Sequence, residues 1–342
     1  MRTHGGLFDS SARMLDFSAN INPLGMPEAV RKAVVNSVGD CVHYPDPHCT
    51  DLIRAISAFE HIASEQIVCG NGAADLIYRI VHALQPKQAL IFAPTFSEYA
   101  FALHEAGCGI SEYALNPSQN YQPDESIISA ISDGTDLVFL CTPNNPTGQR
   151  IPSDLLKQIA ERCRETGTFL VSDECFLRFS ENPEQYSLRR FLPEQGLILN
   201  AFTKLYAMPG LRLGYVLCGT QALAQKLCGN GQYWSVSVPA QAAGIAALQN
   251  PEWIPDTVRY VSAEREYLSA ELRKLGITVY DSDANFLLIK AEPCFAEKME
   301  QHGIYVRKCG DFRGLTDAHF RIAVRTHEEN LSLITAVTEE YR

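Results

Sequence analysis

The central part of the chain alternates between short, continuously apolar segments and amphipathic segments with helical spacing. Continuous apolar runs are typical of strands that are buried on both faces of a sheet. They predict strands at residues 67–69, 89–93, 136–141, 168–172, 197–200 and 213–218. Apolar residues recur every three or four positions over residues 73–84 and 153–164, which predicts helices there. Such alternation indicates an α/β, doubly wound sheet.

The pattern changes after about residue 240. A long helical stretch containing Glu264, Arg265 and Glu266 precedes shorter elements. These are predicted strands at 277–280, 285–289, 304–307 and 320–324, and predicted helices near 294–302 and 328–341. Strands and helices mixed in this way indicate a smaller α+β domain. We therefore predict an N-terminal arm over residues 1–40 that packs with the small domain, a large α/β domain over 41–235, and a small C-terminal domain over 236–342.

Composition narrows the class of protein. The 342 residues carry 29 Lys plus Arg against 40 Asp plus Glu, a net charge of −11, which argues against a nucleic-acid binder. No stretch approaches the ~20 apolar residues of a membrane helix, and the N-terminus lacks the apolar core of a signal peptide. The 11 cysteines include no C-x-x-C pair, so we predict neither a disulfide framework nor a structural zinc site. A reduced, cytoplasmic protein is the expectation.

Four loops that follow predicted strands carry the candidate chemistry, because ligands bind at the carboxyl ends of strands in open α/β sheets. The loops are Gly70–Ala74, Cys141–Gly148 with the letters CTPNNPTG, Asp173–Glu174, and Thr203–Lys204 followed by Arg212. Small residues at the start of a helix allow backbone N–H groups to meet a phosphate. A lysine placed directly after an apolar strand is desolvated, and a desolvated lysine forms Schiff bases.

Each loop also has a purely structural interpretation. Gly70–Ala74 is explained by a strand-to-helix turn, and Cys141–Gly148 by an extended turn, because Gly, Pro and Asn dominate turns. Asp173 is explained by a helix N-cap. Lys204 is explained by an ion pair with a buried acid. The order of the four loops along the chain is therefore more informative than any one of them.

That order resembles the fold-type I pyridoxal-5′-phosphate (PLP) aminotransferase superfamily, over nearly the whole chain. The resemblance implies a mostly parallel seven-stranded sheet in the large domain, PLP as the cofactor and a homodimer with shared active sites. It implies that Lys204 carries the cofactor and transfers protons, and that Asp173 keeps the pyridinium nitrogen protonated. The other residues it implies are Asn145 at the ring oxygen, Phe96 stacked on the ring, and Arg212, Thr203, Gly72 and Ala73 at the cofactor phosphate.

Two further roles follow from the same resemblance. Tyr44 is similar to the residue that reaches the cofactor phosphate of the neighbouring subunit, and Arg321 is similar to the arginine that holds the substrate carboxylate. Two positions depart from the pattern. Ala201 stands where relatives often have a phosphate-binding serine, and Phe176 stands where many have a tyrosine. Asn145 is then the expected partner of the ring oxygen.

Within the superfamily, the opening His4-Gly5-Gly6, the segment Asp16–Gly25 and the run Thr203–Tyr215 are similar to the threonine-phosphate decarboxylase family. This implies release of CO₂ from L-threonine O-3-phosphate, giving (R)-1-aminopropan-2-yl phosphate for cobalamin biosynthesis. Histidinol-phosphate aminotransferases share many of these features and are the alternative. A phosphorylated substrate needs cationic or N–H donors, and the candidates are His4, Asn20, Asn145, Arg307 and Arg321.

Several alternatives stay open at this point. His4 by position alone is a loose terminal residue. Arg325, a further candidate for the substrate phosphate, is equally explained by an ion pair with Glu328 or Glu329. A PLP-binding protein without turnover and an α/β protein without PLP are the remaining classes. An absorbance scan near the band of lysine-bound PLP separates the last of these from the others.

Overall fold

The computed structural model describes residues 5–6, 14–250 and 252–341. The strands of this part of the chain are β1 (Leu15–Asp16), β2 (Ile67–Gly70), β3 (Gln88–Ala93), β4 (Gly109–Ala114), β5 (Leu137–Cys141), β6 (Phe169–Asp173), β7 (Gly196–Ala201), β8 (Gly214–Cys218), β9 (Thr278–Val279), β10 (Phe286–Lys290), β11 (Ile304–Tyr305), β12 (Arg307–Lys308) and β13 (His319–Ala323). The helices are α1 (Glu28–Ser37), α2 (Thr50–Glu60), α3 (Gly72–Leu84), α4 (Ser97–Glu105), α5 (Ser126–Ala130), α6 (Ser153–Thr166), α7 (Phe202–Leu205), α8 (Gln221–Cys228), α9 (Val238–Leu248), α10 (Trp253–Lys274), α11 (Phe295–Gln301) and α12 (His327–Tyr341).

A seven-stranded sheet with the order β2-β8-β7-β6-β5-β3-β4 forms the centre of the molecule. β8 runs antiparallel to both of its neighbours, β2 and β7, and the other six strands of this sheet run in one direction. Every residue of β5, β7 and β8 is buried, as their continuous apolar runs predict. The α/β architecture with a mostly parallel seven-stranded sheet is therefore confirmed.

The edge strand β4 was absent from the sequence prediction. Its residues, GISEYA, are half-buried or exposed, because one side of the strand pairs with β3 and the other pairs with no strand of the described chain. An edge strand of this kind needs no continuous apolar run. The strong signal that marks the central strands is therefore missing.

A second, antiparallel sheet with the order β12-β13-β10-β9 lies in the C-terminal part of the chain. The N-terminal arm contacts this part, because β1 pairs in parallel with β11. The arm continues beside β13, where the Ala323 N–H donates to the Phe17 carbonyl at 2.8 Å.

The domain division at residues 40 and 235 stays a prediction. Helix α9, which that division assigns to the small domain, packs against α1 and α2. Its Gly244 faces Leu52 and Leu213 of the large domain. These contacts favour a boundary at the start of α10, rather than at residue 235.

Three further findings concern the described residues. No helix among them has both the length and the apolar character needed to span a bilayer. No group of three or more His, Cys, Asp or Glu side chains is placed to hold a metal ion. All 11 cysteines are free thiols. The cytoplasmic location stays a prediction.

Candidate active site

The sheet topology brings the predicted loops to one edge. Strands β2, β3, β5, β6 and β7 are parallel, so their carboxyl ends share that edge. Gly72, Asn145, Asp173 and Lys204 lie at or just after those ends. Because β8 is antiparallel, its beginning lies at the same edge, and Arg212 stands two residues before it. The reversed strand therefore explains how Arg212 joins residues that follow parallel strands.

A cavity of about 750 Å³ opens at this edge. It is lined by most of the residues predicted from the sequence, from both domains and the arm, namely Asn20, Ala73, Phe96, Asn145, Asp173, Thr203, Lys204, Arg212, Arg307 and Arg321. Gly72 lies outside the lining but touches Arg212. Glu98, Tyr99 and Cys175, which the sequence prediction does not include, also line the cavity.

One end of the cavity is shaped by Gly72, Thr203 and Arg212. Gly72 begins α3 with a φ of +84°, and a Cβ there would stand 2.7 Å from Arg212 Nη2. A side chain at position 72 would therefore displace the guanidinium. The Thr203 hydroxyl is buried without a hydrogen-bond partner among the described residues. A helix N-terminus, a hydroxyl and a guanidinium that converge in this way form an anion site.

Asp173 ends β6 as a buried carboxylate with two donors. The Tyr99 hydroxyl donates to Oδ2 at 2.6 Å, and the Cys175 backbone N–H donates to Oδ1 at 3.0 Å. Burial, with the charge of Asp173 as a lesser cause, raises the pKa of Tyr99 well above its usual value. The phenol therefore stays protonated and remains a donor. The Cys175 bond closes a local turn and is not a helix cap, because the next helical turn begins at Leu177 with Phe176 at its N-cap position. The alternative of a helix N-cap therefore does not hold for Asp173.

Lys204 lies in α7, a helix of four residues that directly follows β7. Its ammonium stands 5.4 Å from the centroid of the Phe176 ring. Within the described part of the chain, no carboxylate forms an ion pair with it, so the alternative of a lysine paired with a buried acid does not hold. A half-buried lysine that faces a cavity without a counter-ion is available as a nucleophile.

Two buried arginines, Arg307 and Arg321, face the cavity from the small domain. They are direct cross-strand neighbours on β12 and β13. Arg307 pairs with Asp311 at 2.6 Å, whereas Arg321 donates to two neutral oxygens, Asn145 Oδ1 and the Ser18 carbonyl, the latter at 2.8 Å. Burial, with the like charge of Arg307 as a lesser cause, lowers the pKa of Arg321 to about 10. This end of the cavity therefore has an excess of positive charge.

Asn145 connects the two domains at this point. Its Oδ1 accepts from Arg321, which leaves the amide Nδ2 as the group that would donate to a ligand oxygen. Phe176 offers no hydroxyl; its ring packs edge-on against Phe286 at 5.1 Å. The expectation that Asn145, rather than residue 176, serves a ring oxygen stays a prediction that this geometry supports.

Two candidates lie outside the cavity, and a third cannot be placed because it is not among the described residues. Tyr44 is 78% exposed and stacks on Trp234 at 4.4 Å, so its predicted contact with the cofactor of a neighbouring subunit stays a prediction. Arg325 pairs with Glu329 at 2.8 Å, which is the ion pair given as its alternative role. His4 lies outside the described residues. Its neighbours Gly5 and Gly6 line the cavity.

Tyr99 is a residue of the site that the sequence prediction does not include. It lies three positions after Phe96, in the first turn of α4, so both rings lie on one face of the helix. The rings pack edge to face at 5.6 Å. The spacing of three residues from Phe96, which is predicted to stack on the cofactor ring, is the feature of the sequence that could have indicated Tyr99. The bond to Asp173, which lies 74 positions along the chain, follows only from the packing of α4 on the sheet.

Comparison with known proteins identifies the family. Residues 12–337 match the model of the family described as aminotransferase class I and II. The chain belongs to this family. It is similar to the threonine-phosphate decarboxylase of Salmonella typhimurium, with 34% identity over 98% of this chain and 95% of that protein.

Two further relatives extend the comparison. Adenosylcobalamin biosynthesis bifunctional protein CobDQ of Leptospira interrogans is 33% identical over 94% of this chain and 38% of its own length. The crystal structure of histidinol-phosphate aminotransferase from Clostridium acetobutylicum superposes with a TM-score of 0.90, at 27% identity, over 96% of this chain and 99% of that one. As a member of this aminotransferase family the protein is an enzyme, and its cofactor is PLP.

The residues present fit PLP. Three groups suit its phosphate: the Thr203 hydroxyl, which has no partner among the described residues, the backbone at Gly72, where no side chain intrudes, and Arg212. Asp173 supplies an anion, and Lys204 supplies an amine without a counter-ion. Ala201, which is buried at the end of β7, adds no hydroxyl to the phosphate end. The described groups that suit a phosphate are therefore Thr203, Arg212 and the N-terminus of α3.

Proposed function

We propose that the enzyme decarboxylates L-threonine O-3-phosphate to (R)-1-aminopropan-2-yl phosphate and CO₂, a step of cobalamin biosynthesis. The observation that carries this proposal is the pair of buried arginines that face the same cavity as Lys204. The substrate has two anionic groups, a phosphate and a carboxylate, and the small domain presents two guanidinium groups. The relative named threonine-phosphate decarboxylase supports this reaction, and the CobDQ relative supports a role in cobalamin biosynthesis.

We assign the following roles to residues of the chain. Thr203, Arg212 and the first N–H groups of α3 would hold the cofactor phosphate, and Phe96 would stack on the ring. Asp173 keeps the ring nitrogen protonated, with Tyr99 fixing the carboxylate. PLP, when bound, accepts the electron pair of the bond that breaks at the substrate Cα. Lys204 carries the cofactor and returns a proton to Cα after CO₂ has left.

Arg307, Arg321 and Asn20 orient the substrate. Which bond at the substrate Cα would be weakened depends on how the protein orients the substrate against the cofactor, so these anion contacts would decide whether the carboxylate or the Cα proton is lost. Asn20 is suited to this role because its Oδ1 is buried without a partner among the described residues. Arg321 and Arg307 both remain candidates for either anionic group.

Histidinol-phosphate aminotransferase is the second candidate function, favoured by the close superposition on the Clostridium acetobutylicum enzyme. The two reactions differ in whether they require a 2-oxo acid as a second substrate. Incubation with L-threonine O-3-phosphate should release CO₂ without any 2-oxo acid. Histidinol phosphate with 2-oxoglutarate should give little glutamate. The opposite pair of results would assign the protein to the aminotransferases.

We also propose that the active unit is a homodimer in which Tyr44 contacts the cofactor phosphate of the partner. The support is its exposure together with that of Tyr233 and Trp234, a ring cluster on the surface. Homodimers of Tyr44→Ala and of Lys204→Ala should each be impaired. Mixing the two chains should restore activity, because one hybrid site then combines an intact Lys204 with an intact Tyr44. Without recovery on mixing, Tyr44 does not act across subunits.

A further inference from the structure

Asn22 lies in the N-terminal arm, behind the wall of the cavity. It is 2% exposed and does not line the cavity, unlike its neighbours Asn20 and Ile21. Its side chain uses three hydrogen bonds. Nδ2 donates to the Leu205 carbonyl at 2.7 Å and to Thr257 Oγ1 at 2.8 Å, and Oδ1 accepts from the Leu24 N–H at 3.0 Å. Asn22 therefore holds other groups of the protein in place and does not contact a ligand in the cavity.

The groups that it fixes belong to the turn of Lys204. Helix α7 has only four residues, and the backbone N–H groups of residues 206–208 donate to the carbonyls of its first three. Among the described residues, no backbone N–H donates to the fourth carbonyl, that of Leu205. The Asn22 backbone N–H donates to the Lys204 carbonyl at 3.0 Å. The Leu205 carbonyl receives the Asn22 side chain and the Trp253 indole N–H, the latter at 2.8 Å. The backbone on which Lys204 stands is thus held from outside by the arm and by α10.

The same stretch of the arm reaches the substrate arginine. Four residues before Asn22, the Ser18 carbonyl accepts from Arg321 Nη2 at 2.8 Å. One residue earlier, the Phe17 carbonyl accepts from the Ala323 N–H on β13. The arm therefore sets the separation between the strand of Arg321 and the turn of Lys204.

We propose that Asn22 is a positioning residue for Lys204. By holding the Leu205 carbonyl, its amide sets where Lys204 Nζ stands when it attacks the aldehyde carbon of PLP. In that step the C=N bond forms between Nζ and the aldehyde carbon, and the aldehyde oxygen leaves as water. The inference rests on the proposed function, because it needs Lys204 to be the residue that carries the cofactor.

The test separates covalent capture from binding. Apoprotein of Asn22→Ala is mixed with PLP, and the visible band of lysine-bound cofactor is followed in time. Affinity is measured separately with pyridoxamine 5′-phosphate, which has no aldehyde and binds only noncovalently. The capture rate should fall about tenfold or more, because ångström-scale misplacement of a nucleophile has effects of this size. The Kd for pyridoxamine 5′-phosphate should stay at the wild-type value.

Asn330→Ala is the matched control. Asn330 is also buried, and its Nδ2 donates to Glu264 Oε2 and to the Arg325 carbonyl, both at 2.9 Å, while Oδ1 accepts from the Arg325 N–H at 3.0 Å. The Asn330→Ala variant loses three side-chain hydrogen bonds, the same number as Asn22→Ala, and none of them involves the turn of Lys204. A similar fall in melting temperature is expected in both variants, but only Asn22→Ala should capture PLP slowly.

The outcomes are distinct. Capture at the wild-type rate by Asn22→Ala overturns the inference, and so does an equal loss of capture rate and pyridoxamine 5′-phosphate affinity, which indicates general loosening. Asn22→Ser keeps one donor and replaces Asn22→Ala if that variant does not fold, with the same two outcomes. Failure of the proposed function is visible separately, as pyridoxyl label on a lysine other than Lys204 after borohydride reduction of the wild-type protein.

Discussion

Tyr99→Phe is a minimal change at the candidate active site. It removes one hydroxyl, the group that donates to Asp173 Oδ2 at 2.6 Å. The aromatic ring stays, with its stacking on Phe139 at 5.0 Å and its edge contact with Phe96. Both Tyr99 and Asp173 are buried, so water does not replace the lost bond freely. The consequences should therefore come from the hydrogen bond, rather than from packing.

A hydrogen bond to a charged group contributes about 1.5–3 kcal/mol to stability. The entropy of unfolding, at about 2.1 cal/mol/K per residue, is about 0.7 kcal/mol/K for a chain of 342 residues. The melting temperature of the apoprotein should then fall by about 2–4 °C. We also expect kcat to fall about tenfold, which corresponds to ~1.4 kcal/mol. KM should change little, because the hydroxyl is bonded to Asp173 and not placed to hold the substrate.

Tyr113→Phe is the matched control, since the Tyr113 hydroxyl donates to Asp124 Oδ1 at 2.8 Å at an exposed site. Exposed pairs contribute little, so its melting temperature should stay close to that of the wild type. Differential scanning calorimetry and steady-state kinetics measure both effects. Equal melting shifts for the two variants, or unchanged kcat in Tyr99→Phe, would refute the assignment of Tyr99 as the residue that holds Asp173.

Other variants test the remaining roles. Lys204→Ala should hold PLP only noncovalently and lose turnover, which dialysis and absorbance show; retained covalent cofactor would place it on another lysine. Asp173→Asn should lower turnover about a hundredfold, and near wild-type kinetics would contradict the electron-sink role. Arg321→Lys should raise KM more than it lowers kcat, because a lysine cannot reproduce two directed N–H contacts; an unchanged KM would remove Arg321 from substrate binding. Burial raises the pKa of Glu174 to about 7, so the folded state binds its proton more tightly than the unfolded one, and stability from this group is lost as pH rises from about 4.5 to about 7. Glu174→Gln should flatten the dependence of melting temperature on pH in that range, and an unchanged slope would assign it to other groups.

The sequence predicted the parts of the fold that have a strong local signal. Buried central strands such as β5 and β7 are short apolar runs, and amphipathic helices such as α3 have regular spacing. The half-exposed edge strand β4 has neither feature. The attachment of α9 to α1 and α2 depends on which surface is left uncovered after folding, and no local pattern contains that information.

The same distinction holds for the site. Residues that directly follow strands, such as Asp173 and Lys204, were found because topology brings strand ends together. Tyr99 and Asn22 were missed because their partners lie 74 and 183 positions away in the chain. Neither residue type is diagnostic in its own segment. Their roles follow from where α4 and the arm pack, which needs the tertiary structure.

The charges around the cavity bear on the choice between the two candidate reactions. Arg307 has Asp311 as a counter-ion, whereas no carboxylate of the described residues pairs with Arg321, which contacts only neutral oxygens. A buried, uncompensated guanidinium is unfavourable, so a ligand that supplies an anion at this position gains binding free energy. A substrate with both a phosphate and a carboxylate can engage the two arginines at once. A substrate with a phosphate alone supplies an anion to only one of the two guanidinium groups, and this difference favours threonine phosphate over histidinol phosphate in the first half of any reaction at this site.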